Sequence, residues 1–393
     1  MSTEPPLPPD GLSRAGSELA DVPGAPKARY IMIGGFLGAG KTTAVGRLAR
    51  HLSGSGLRVG LITNDQGHQL VDTAMLRSQG FATEEIPGGC FCCRFNSLVD
   101  ASRRLTESSR PDVFIAEPVG SCTDLAATVT YPLRRLYGDR FTIAPVSVLV
   151  DPVRALRVLG LERGSSFSEK VLYIYLKQIE EADLVVINKC DLLEEPRLES
   201  LRQGIATRFP GKEILVASAR NGTNLQQWFA RITSAEQVAR AAMPVDYEAY
   251  ADGEARLGWL NCTVQLSAAQ AFDAGQFLQE LSGEIQRRLE AERAQVAHLK
   301  ITICPDGSLT GEIAAVNLVR NDFVPELSFH LEEPVTSAQL MVNLRAECDP
   351  HLLGAAVREG LEAAAMKFPT LSAAMEHMEH FRPGKPAPTH RMT

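Results

Sequence analysis

Short apolar runs alternate with amphipathic segments from residue 28 onward. Between the first two runs, Val45, Leu48, Ala49 and Leu52 recur at spacings of three and four, which predicts a helix with one buried face. The runs themselves are almost continuously apolar, as in parallel strands that are covered on both faces. They read RYIMIGG, RVGLIT, DVFIAE, APVSVLV, DLVVINK and EILVAS. The pattern predicts an α/β fold with a doubly wound, mostly parallel sheet.

The order of elements changes after Pro244. A strand, a long helix over about residues 271–297, three further strands and a final helix that begins after Asp349 follow one another. This order predicts a second, smaller α+β domain at the C-terminal side. The predicted organisation is a disordered tail at 1–28, the first domain at 29–243, a linker at 244–257, the α+β domain at 258–368 and a loose tail at 369–393.

Composition agrees with this division and limits the partners. The chain has 393 residues, more than one domain usually holds. Its formal net charge of −7 argues against binding to nucleic acid or to an anionic membrane surface. Most of its cysteines are scattered singly, as in proteins of a reducing compartment. With neither a secretory signal nor an apolar stretch long enough to span a membrane, the sequence favours a cytoplasmic location.

A glycine-rich motif directly follows the first predicted strand. The segment GFLGAGKT matches the pattern G-x-x-x-x-G-K-[ST], and a predicted helix begins within it. Such a loop turns backbone N–H groups toward phosphate oxygens, and the helix N-terminus adds partial positive charge. Lys41 is placed to reach the β- and γ-phosphates, and the Thr42 hydroxyl to ligate Mg²⁺. A P-loop NTPase fold is therefore predicted, with a phosphate site made of Gly35, Gly38, Ala39, Gly40, Lys41, Thr42 and Thr43.

Two later strand ends carry residues that fit a guanine base. In the segment NKCD, the carboxylate of Asp191 can accept hydrogen bonds from guanine N1–H and the 2-amino group, neither of which adenine offers. Asn188 is expected to brace the loop, and the stem of Lys189 to cover the base. Ser218 and Ala219 follow another strand, where backbone N–H groups would meet guanine O6, with a plain turn as the alternative interpretation. Together these signals favour GTP over ATP.

Two acidic residues end the second and third apolar runs. Asp65 and Glu117 should meet at the edge of the sheet where α/β folds bind ligands. Asp65 is a candidate to hold Mg²⁺ through water or to orient the attacking water, while Glu117 and Gly120 fit a role in sensing Mg²⁺ and the γ-phosphate. Either carboxylate can instead be a solvated strand-end acid. The predicted catalytic residues are Lys41, Asp65 and Glu117, and slow hydrolysis is expected.

Three cysteines stand within four positions in the segment GGCFCC. Cys90, Cys92 and Cys93 precede a predicted helix, whose N-terminal partial charge favours thiolates. Thiolates select Zn²⁺, with cobalt, nickel or copper as competitors, and three sulfurs leave a fourth position open. An incomplete site suits an ion that must be released. A redox pair and inert buried thiols are the alternative interpretations.

Taken in order, GGFLGAGKTT, GGCFCC, EPVG, VLVDP and NKCD resemble the CobW/HypB/UreG family of metal-handling GTPases, specifically its CobW-like branch with a C-x-C-C motif. The similarity covers about residues 30–232. It implies that the GTP-bound state assembles a metal site around the thiols, and that hydrolysis releases the metal to a client protein. The resemblance also implies residue roles: Gly35 to Thr43 for phosphate, Asn188, Lys189 and Asp191 for guanine, and Cys90, Cys92 and Cys93 for metal.

The sequence departs from the family pattern at two places. NDQGH stands where relatives commonly have two glutamates, so that Asp65 and His68 take those positions. His68 is either a zinc or cobalt ligand or a solvated side chain. PVGSCTD adds Cys122, which is either a fourth thiolate or a buried lone cysteine. The resemblance leaves the role of residues 245–393 open.

The expected function is that of a GTP-binding, slowly hydrolysing metallochaperone or metal insertase for zinc or cobalt. Its expected ligands are GTP or GDP, Mg²⁺ and a transition metal, Zn²⁺ before Co²⁺. The expected partner is a client metalloprotein, with no nucleic acid and no membrane, and homo-oligomerisation is left open. The alternative is a GTP-dependent regulatory switch or assembly factor that binds a partner protein and uses the thiols to sense metal or redox state.

Overall fold

The structure, a computed structural model, describes residues 27–64, 73, 76–307 and 312–392. Two β-sheets organise this part of the chain, and apolar cores pack against each of them. Nearly all of the tail expected at residues 1–28 lies outside the described residues. Within the described ranges, no helix combines the length and apolar content that a bilayer crossing requires.

The first sheet is built from short, almost fully buried strands. In chain order they are β1 (Ala28–Gly35), β2 (Val59–Asn64), β3 (Ala82–Ile86), β4 (Val113–Glu117), β5 (Phe141–Ile143), β6 (Ser147–Val150), β7 (Leu184–Ile187) and β8 (Glu213–Val216). They pair in parallel in the order β3-β2-β4-β1-β6-β7-β8, with β5 beside β1. Strands β4, β2 and β3 lie on one side of β1 and β6, β7 and β8 on the other, so the carboxyl end of β1 is a switch point, where α/β sheets bind ligands.

Helices cover both faces of this sheet. Helix α1 (Lys41–Gly54) buries Val45, Leu48, Ala49 and Leu52, the face that the spacing predicted. The other helices of this part are α2 (Phe95–Ser109), α3 (Tyr131–Tyr137), α4 (Pro152–Val158), α5 (Glu169–Glu181), α6 (Glu195–Arg208) and α7 (Leu225–Ser234). The predicted doubly wound parallel sheet of a P-loop NTPase fold is therefore confirmed.

Helix α8 (Tyr247–Arg256) leads into a second, antiparallel sheet. Its strands are β9 (Leu257–Phe272), β10 (Gln295–Pro305), β11 (Ala314–Leu318), β12 (Glu326–Phe329), β13 (Val335–Glu347) and β14 (Leu371–Phe381), paired in the order β12-β11-β10-β13-β9-β14. Helices α9 (Ala274–Ala291) and α10 (Pro350–Ala365) pack their apolar residues into one core with this sheet. The predicted α+β C-terminal domain is confirmed.

Two segments differ from the sequence expectations. Residues 244–257 were expected as a linker, but α8 forms there because Asp246 caps it by accepting from the N–H groups of Glu248 and Ala249. A loose tail was expected at 369–393. Instead β14 pairs with β9 along its length, because an edge strand with one solvated face tolerates a polar sequence.

Candidate functional site

The phosphate loop between β1 and α1 has a backbone that favours glycine. Gly38 and Gly40 have φ values of 78° and 93°, in the left-handed region. A Cβ atom on Gly40 would also lie 2.5 Å from Nδ2 of Asn188. Lys41 and Thr42 are buried in the first turn of α1. The loop therefore presents the N-terminal N–H groups of α1 and a lysine at one place, as phosphate binding requires.

Asn188 and Lys189, at the end of β7, both reach the phosphate loop. Asn188 Nδ2 donates to the Ala39 carbonyl at 2.8 Å, and its Oδ1 accepts from the Ala219 N–H at 2.9 Å. Lys189 Nζ donates to the Gly38 carbonyl at 2.6 Å. The structure thus brings three of the sequence-predicted segments into direct contact.

A buried chain of polar groups runs from the first domain to the second. Thr42 Oγ1 donates to Glu117 Oε1 at 2.9 Å, and Lys300 Nζ donates to Thr42 Oγ1 at 3.0 Å. Glu117 ends β4, whereas Lys300 belongs to β10 of the second sheet. The hydroxyl predicted to hold Mg²⁺ therefore lies between a carboxylate and an ammonium group.

A cavity of about 520 Å³ lies between the phosphate loop and the second sheet. Among the described residues that line it, the positively charged ones are Lys41, Arg47, Arg50, Lys189, Arg220, Lys300 and Arg345, and the acidic ones are Glu117 and Glu326. His298 also lines it, and burial together with the charges of Lys41 and Lys189 lowers its pKa to about 3. The cavity is therefore cationic through its lysines and arginines, which suits a polyphosphate.

The other predicted nucleotide residues differ in their distance from this cavity. Thr43 and Gly120 line it with Ala219. Gly35 does not, and a Cβ there would lie 2.3 Å from the Leu149 carbonyl, so this glycine permits the close approach of β1 and β6. Ser218 is fully buried behind the lining. Asp191 is exposed on the turn Cys190–Leu192, outside the lining residues.

Cys90, Cys92 and Cys93 form the cluster that could hold a metal ion among the described residues. The Cys90 sulfur lies 2.8 Å from that of Cys92 and 3.2 Å from that of Cys93, and the last two are 3.7 Å apart. Cys90 and Cys92 are buried and Cys93 is partly exposed. Three convergent sulfurs with one at the surface fit a thiophilic ion that enters from that side.

A fourth cysteine, Cys122, affects the pKa of the Cys90 thiol. It is buried, and it is the largest influence that lowers the pKa of the Cys90 thiol. Hydrogen bonds from Cys122, Cys92 and Cys93 lower the pKa of Cys90 well below its ordinary value. The hydrogen bond with Cys90 raises the pKa of Cys93 to about 11. Burial, together with the hydrogen bond and charge of Cys90, raises the pKa of Cys122 above its ordinary value. The cluster therefore favours deprotonation of Cys90 over that of the other three cysteines.

Asn64 connects the cavity to the cysteine loop. It is the last residue of β2, it lines the cavity, and its Nδ2 donates to the carbonyls of Ile86 at 2.8 Å and Gly89 at 2.6 Å. Its Oδ1 is buried with no hydrogen-bond partner among the described residues. The Asn64 side chain therefore links the cavity to Gly89, the residue that precedes Cys90.

Residues 387–392 lie across the cysteine cluster. The Ala387 N–H donates to Cys93 Sγ at 3.3 Å, and the Thr389 N–H donates to the Cys92 carbonyl at 2.8 Å. Arg391 donates to the buried carboxylate of Asp124 at 2.7 Å. This segment, expected to be loose, is therefore a partial cover of the cluster.

Asp65 and His68 lie outside the described residues. Their predicted roles at Mg²⁺ and at the metal stay predictions.

Sequence reasoning missed the contribution of the second domain. Lys300 interrupts the apolar run HLKITIC, and a lysine between Leu299 and Ile301 was a signal that this strand has a polar face. Asn64 is the first residue of NDQGH and was not singled out. Arg154 stands two residues after VLVDP and was not singled out, although its guanidinium donates to the carbonyls of Leu37 and Ala297 in the two domains.

Comparison with known proteins agrees with these motifs. Residues 29–216 match the family described as CobW/HypB/UreG, nucleotide-binding domain. The chain is 31% identical to "Zinc chaperone CobW" of Sinorhizobium sp over 49% of this chain and 58% of that protein. It is 27% identical to "Zinc-regulated GTPase metalloprotein activator 1" of Dictyostelium discoideum over 46% of this chain and 43% of that protein. The matches thus span about half the length of these relatives.

A solved structure, that of HypB from Helicobacter pylori in complex with nickel, is 17% identical with a TM-score of 0.40 and covers 54% of this chain and 91% of that chain. The sequence match, the phosphate loop at the switch point of a parallel sheet and the C-x-C-C cluster all fall in the first domain. Residues 29–216 are therefore similar to the nucleotide-binding domain of the CobW/HypB/UreG family.

Proposed function

We propose that the protein binds GTP, hydrolyses it slowly and uses the cycle to load and release a thiophilic metal ion, zinc first, for a client metalloprotein. The observation that carries this proposal is the short segment Glu117–Cys122. It begins at the carboxylate that accepts from Thr42 and ends at Cys122, which lowers the pKa of Cys90. A nucleotide that changes the first contact is coupled through five residues of chain to the second.

Two separate groups of side chains would hold Mg²⁺ and the thiophilic metal ion. The Thr42 hydroxyl and the Glu117 carboxylate are oxygen donors at the base of the cavity and would hold Mg²⁺. When bound with nucleotide, Mg²⁺ neutralises phosphate charge. The sulfurs of Cys90, Cys92 and Cys93, with Cys122 beneath, suit Zn²⁺ and also Co²⁺. The two relatives are named as a zinc chaperone and a zinc-regulated GTPase metalloprotein activator, which favours zinc as the metal and a protein as the client.

The residues of the chain divide the work of the nucleotide cycle. Lys41 and the loop N–H groups would bind and orient the phosphates. Asn188 fixes the loop from behind through its two hydrogen bonds. The buried wall of the cavity excludes water, which strengthens these contacts. Turnover is expected to be slow, as the sequence predicts.

The test is zinc titration of the full chain with a non-hydrolysable GTP analogue and with GDP. We expect one zinc per chain, bound more tightly with the GTP analogue. Cys90→Ser and Cys92→Ser should weaken binding beyond the roughly 10- to 100-fold that changes outside a ligand shell produce. Cys348→Ser, at a partly buried single thiol of the second domain, is the matched control.

The alternative of a regulatory switch makes a different prediction in this titration. If zinc affinity is equal with GTP analogue and GDP, release is not driven by the nucleotide, and a role of the thiols in sensing replaces delivery. If the two serine variants bind zinc like the unchanged protein, the metal proposal for this cluster fails.

A further inference from the structure

The second sheet has one apolar face and one polar face, and the polar face is turned to the phosphate loop. On β10, Leu299, Ile301 and Ile303 enter the apolar core with α9 and α10. Residues alternate in direction along a strand, so His298 and Lys300 point the other way, and both line the cavity. Strand β13 repeats the pattern, with Leu344 in the core and Asn343 and Arg345 lining the cavity. The polar face of the second sheet thus forms one wall of the cavity.

Two of these side chains, Lys300 and Arg345, are buried cations. Lys300 is 8% exposed and Arg345 is 3% exposed. The Arg345 guanidinium donates to the Leu260 carbonyl and to Asn261 Oδ1, and it lies 4.0 Å from the centre of the Trp259 ring. Lys300 lines the cavity and donates to Thr42 Oγ1 in the first turn of α1, so its positive charge lies where the phosphate loop would hold phosphates.

A neutral donor points to the same ligand chemistry. Trp259 lines the cavity and is 1% exposed, and its indole N–H has no hydrogen-bond partner among the described residues. An indole nitrogen only donates. The polar face of the second sheet therefore combines cations with an unsatisfied donor, which suits an oxyanion.

The two domains are fixed so that β10 stays over the loop. The Arg154 guanidinium donates to the Leu37 carbonyl in the phosphate loop at 2.8 Å and to the Ala297 carbonyl in β10 at 3.2 Å. Asp151 accepts from Lys189 and from Arg320, each at 3.0 Å. One arginine and one aspartate thus set the position of Lys300 relative to Thr42.

We propose that Lys300 is a catalytic phosphate ligand that the second domain supplies in cis. With nucleotide in the cavity, its ammonium contacts the terminal phosphate beside Thr42. This rests on the proposed GTP hydrolysis. There the water oxygen bonds to the γ-phosphorus, and the bond from that phosphorus to the bridging oxygen breaks. The electron pair leaves with GDP, and the water proton passes to phosphate or solvent. Lys300 stabilises the negative charge that this step redistributes.

The experiment compares single-turnover hydrolysis at saturating GTP with the affinities for a GTP analogue and GDP, all in the full chain. Lys300→Met keeps the length of the side chain and removes its charge. We expect its hydrolysis rate to fall about 100-fold, the effect of losing one preorganised charge-stabilising group. GDP affinity should stay within about twofold, because GDP lacks the phosphate that Lys300 contacts. Lys300→Arg should recover most of the rate.

Lys367→Met is the matched control, since Lys367 is an exposed lysine of the same domain that pairs with Glu280. It should leave all three quantities unchanged. The proposal is overturned if Lys300→Met hydrolyses GTP at the rate of the unchanged protein. It is equally overturned if GDP and GTP analogue lose affinity in parallel, since that result indicates a structural role.

The same data separate this inference from the proposed function. If the unchanged protein neither binds nor hydrolyses GTP, and Lys41→Ala alters nothing, the proposed function itself fails. If the unchanged protein hydrolyses GTP, Lys41→Ala abolishes it and Lys300→Met does not slow it, the role of Lys300 alone is wrong.

Discussion

The Asn188 side chain and the Ala39 carbonyl are joined by a 2.8 Å hydrogen bond across 149 positions of sequence. The same amide accepts from the Ala219 N–H. One residue thus connects the phosphate loop to the loop expected at the base. Since both backbone groups are buried, their position depends on this side chain.

Asn188→Ala should lower both stability and nucleotide affinity. The change leaves a buried carbonyl and a buried N–H without a partner, at a cost of about 1–3 kcal/mol each. Denaturant unfolding should give the loss of stability, and fluorescent nucleotide titration the loss of affinity. Asn221→Ala, at an exposed residue of the same region, is the control and should change little. Equal stability of the two variants would contradict the bracing role.

Much of the first domain could be predicted because its signals are local. A glycine motif between a strand and a helix specifies both a fold and a ligand, and the buried face of α1 follows from its spacing. Cys90, Cys92 and Cys93 are close in sequence, so their convergence was nearly unavoidable. Lys300 is different, since 258 positions separate it from Thr42 and the contact exists only once two domains have docked.

Residues after 368 show a second reason for failure. Glu376, His377 and Glu379 make the β14 sequence polar, and no apolar alternation identifies it as a strand. Its pairing is provided by β9, a long neighbour that leaves an edge open. Tertiary context decided this element, as it often does for strands.

Asp191→Asn should shift the base preference of the protein from guanine toward xanthine. A carboxylate accepts from both guanine donors, while an amide pairs better with xanthine. We expect the preference for GTP over xanthosine triphosphate to fall by a large factor, up to about 10⁴. Competition binding measures it, and Asp139→Asn, at another exposed aspartate of the first domain, is the control. An unchanged preference would refute the guanine role, which matters because Asp191 lies outside the cavity lining.

The segment over the cysteine cluster should control how fast Cys93 reacts. Thr389→Pro removes the N–H that donates to the Cys92 carbonyl and the hydroxyl that donates to the Cys93 carbonyl. At about 1 kcal/mol for each of the two lost hydrogen bonds, labelling of Cys93 by a thiol reagent should become roughly 30-fold faster. Thr389→Ser keeps both donors and should react like the unchanged protein. Mass mapping of the labelled peptide distinguishes Cys93 from the other thiols, and equal rates for both variants would show that the segment is no cover.

His298 should stay neutral throughout the range in which nucleotide binding is measured. Burial, with the charges of Lys41 and Lys189, lowers its pKa to about 3, so its imidazole resonances should not titrate between pH 5 and 8. In the unfolded chain the same group takes up a proton below its ordinary pKa of about 6.5. The unfolded state thus binds more protons between these values, and the folded state loses stability as the pH falls.

His298→Gln removes this contribution. Its free energy of unfolding should decline less steeply from pH 6.5 to pH 5 than that of the unchanged protein, by at most about 1.4 kcal/mol per pH unit. Urea unfolding at the two pH values measures the difference. Identical slopes, or an imidazole that titrates near pH 6.5, would contradict this prediction, because His298 would then become positively charged in the folded protein as well. If neither is seen, the positive charge that meets the phosphates comes from lysine and arginine, and it does not vary with pH over this range.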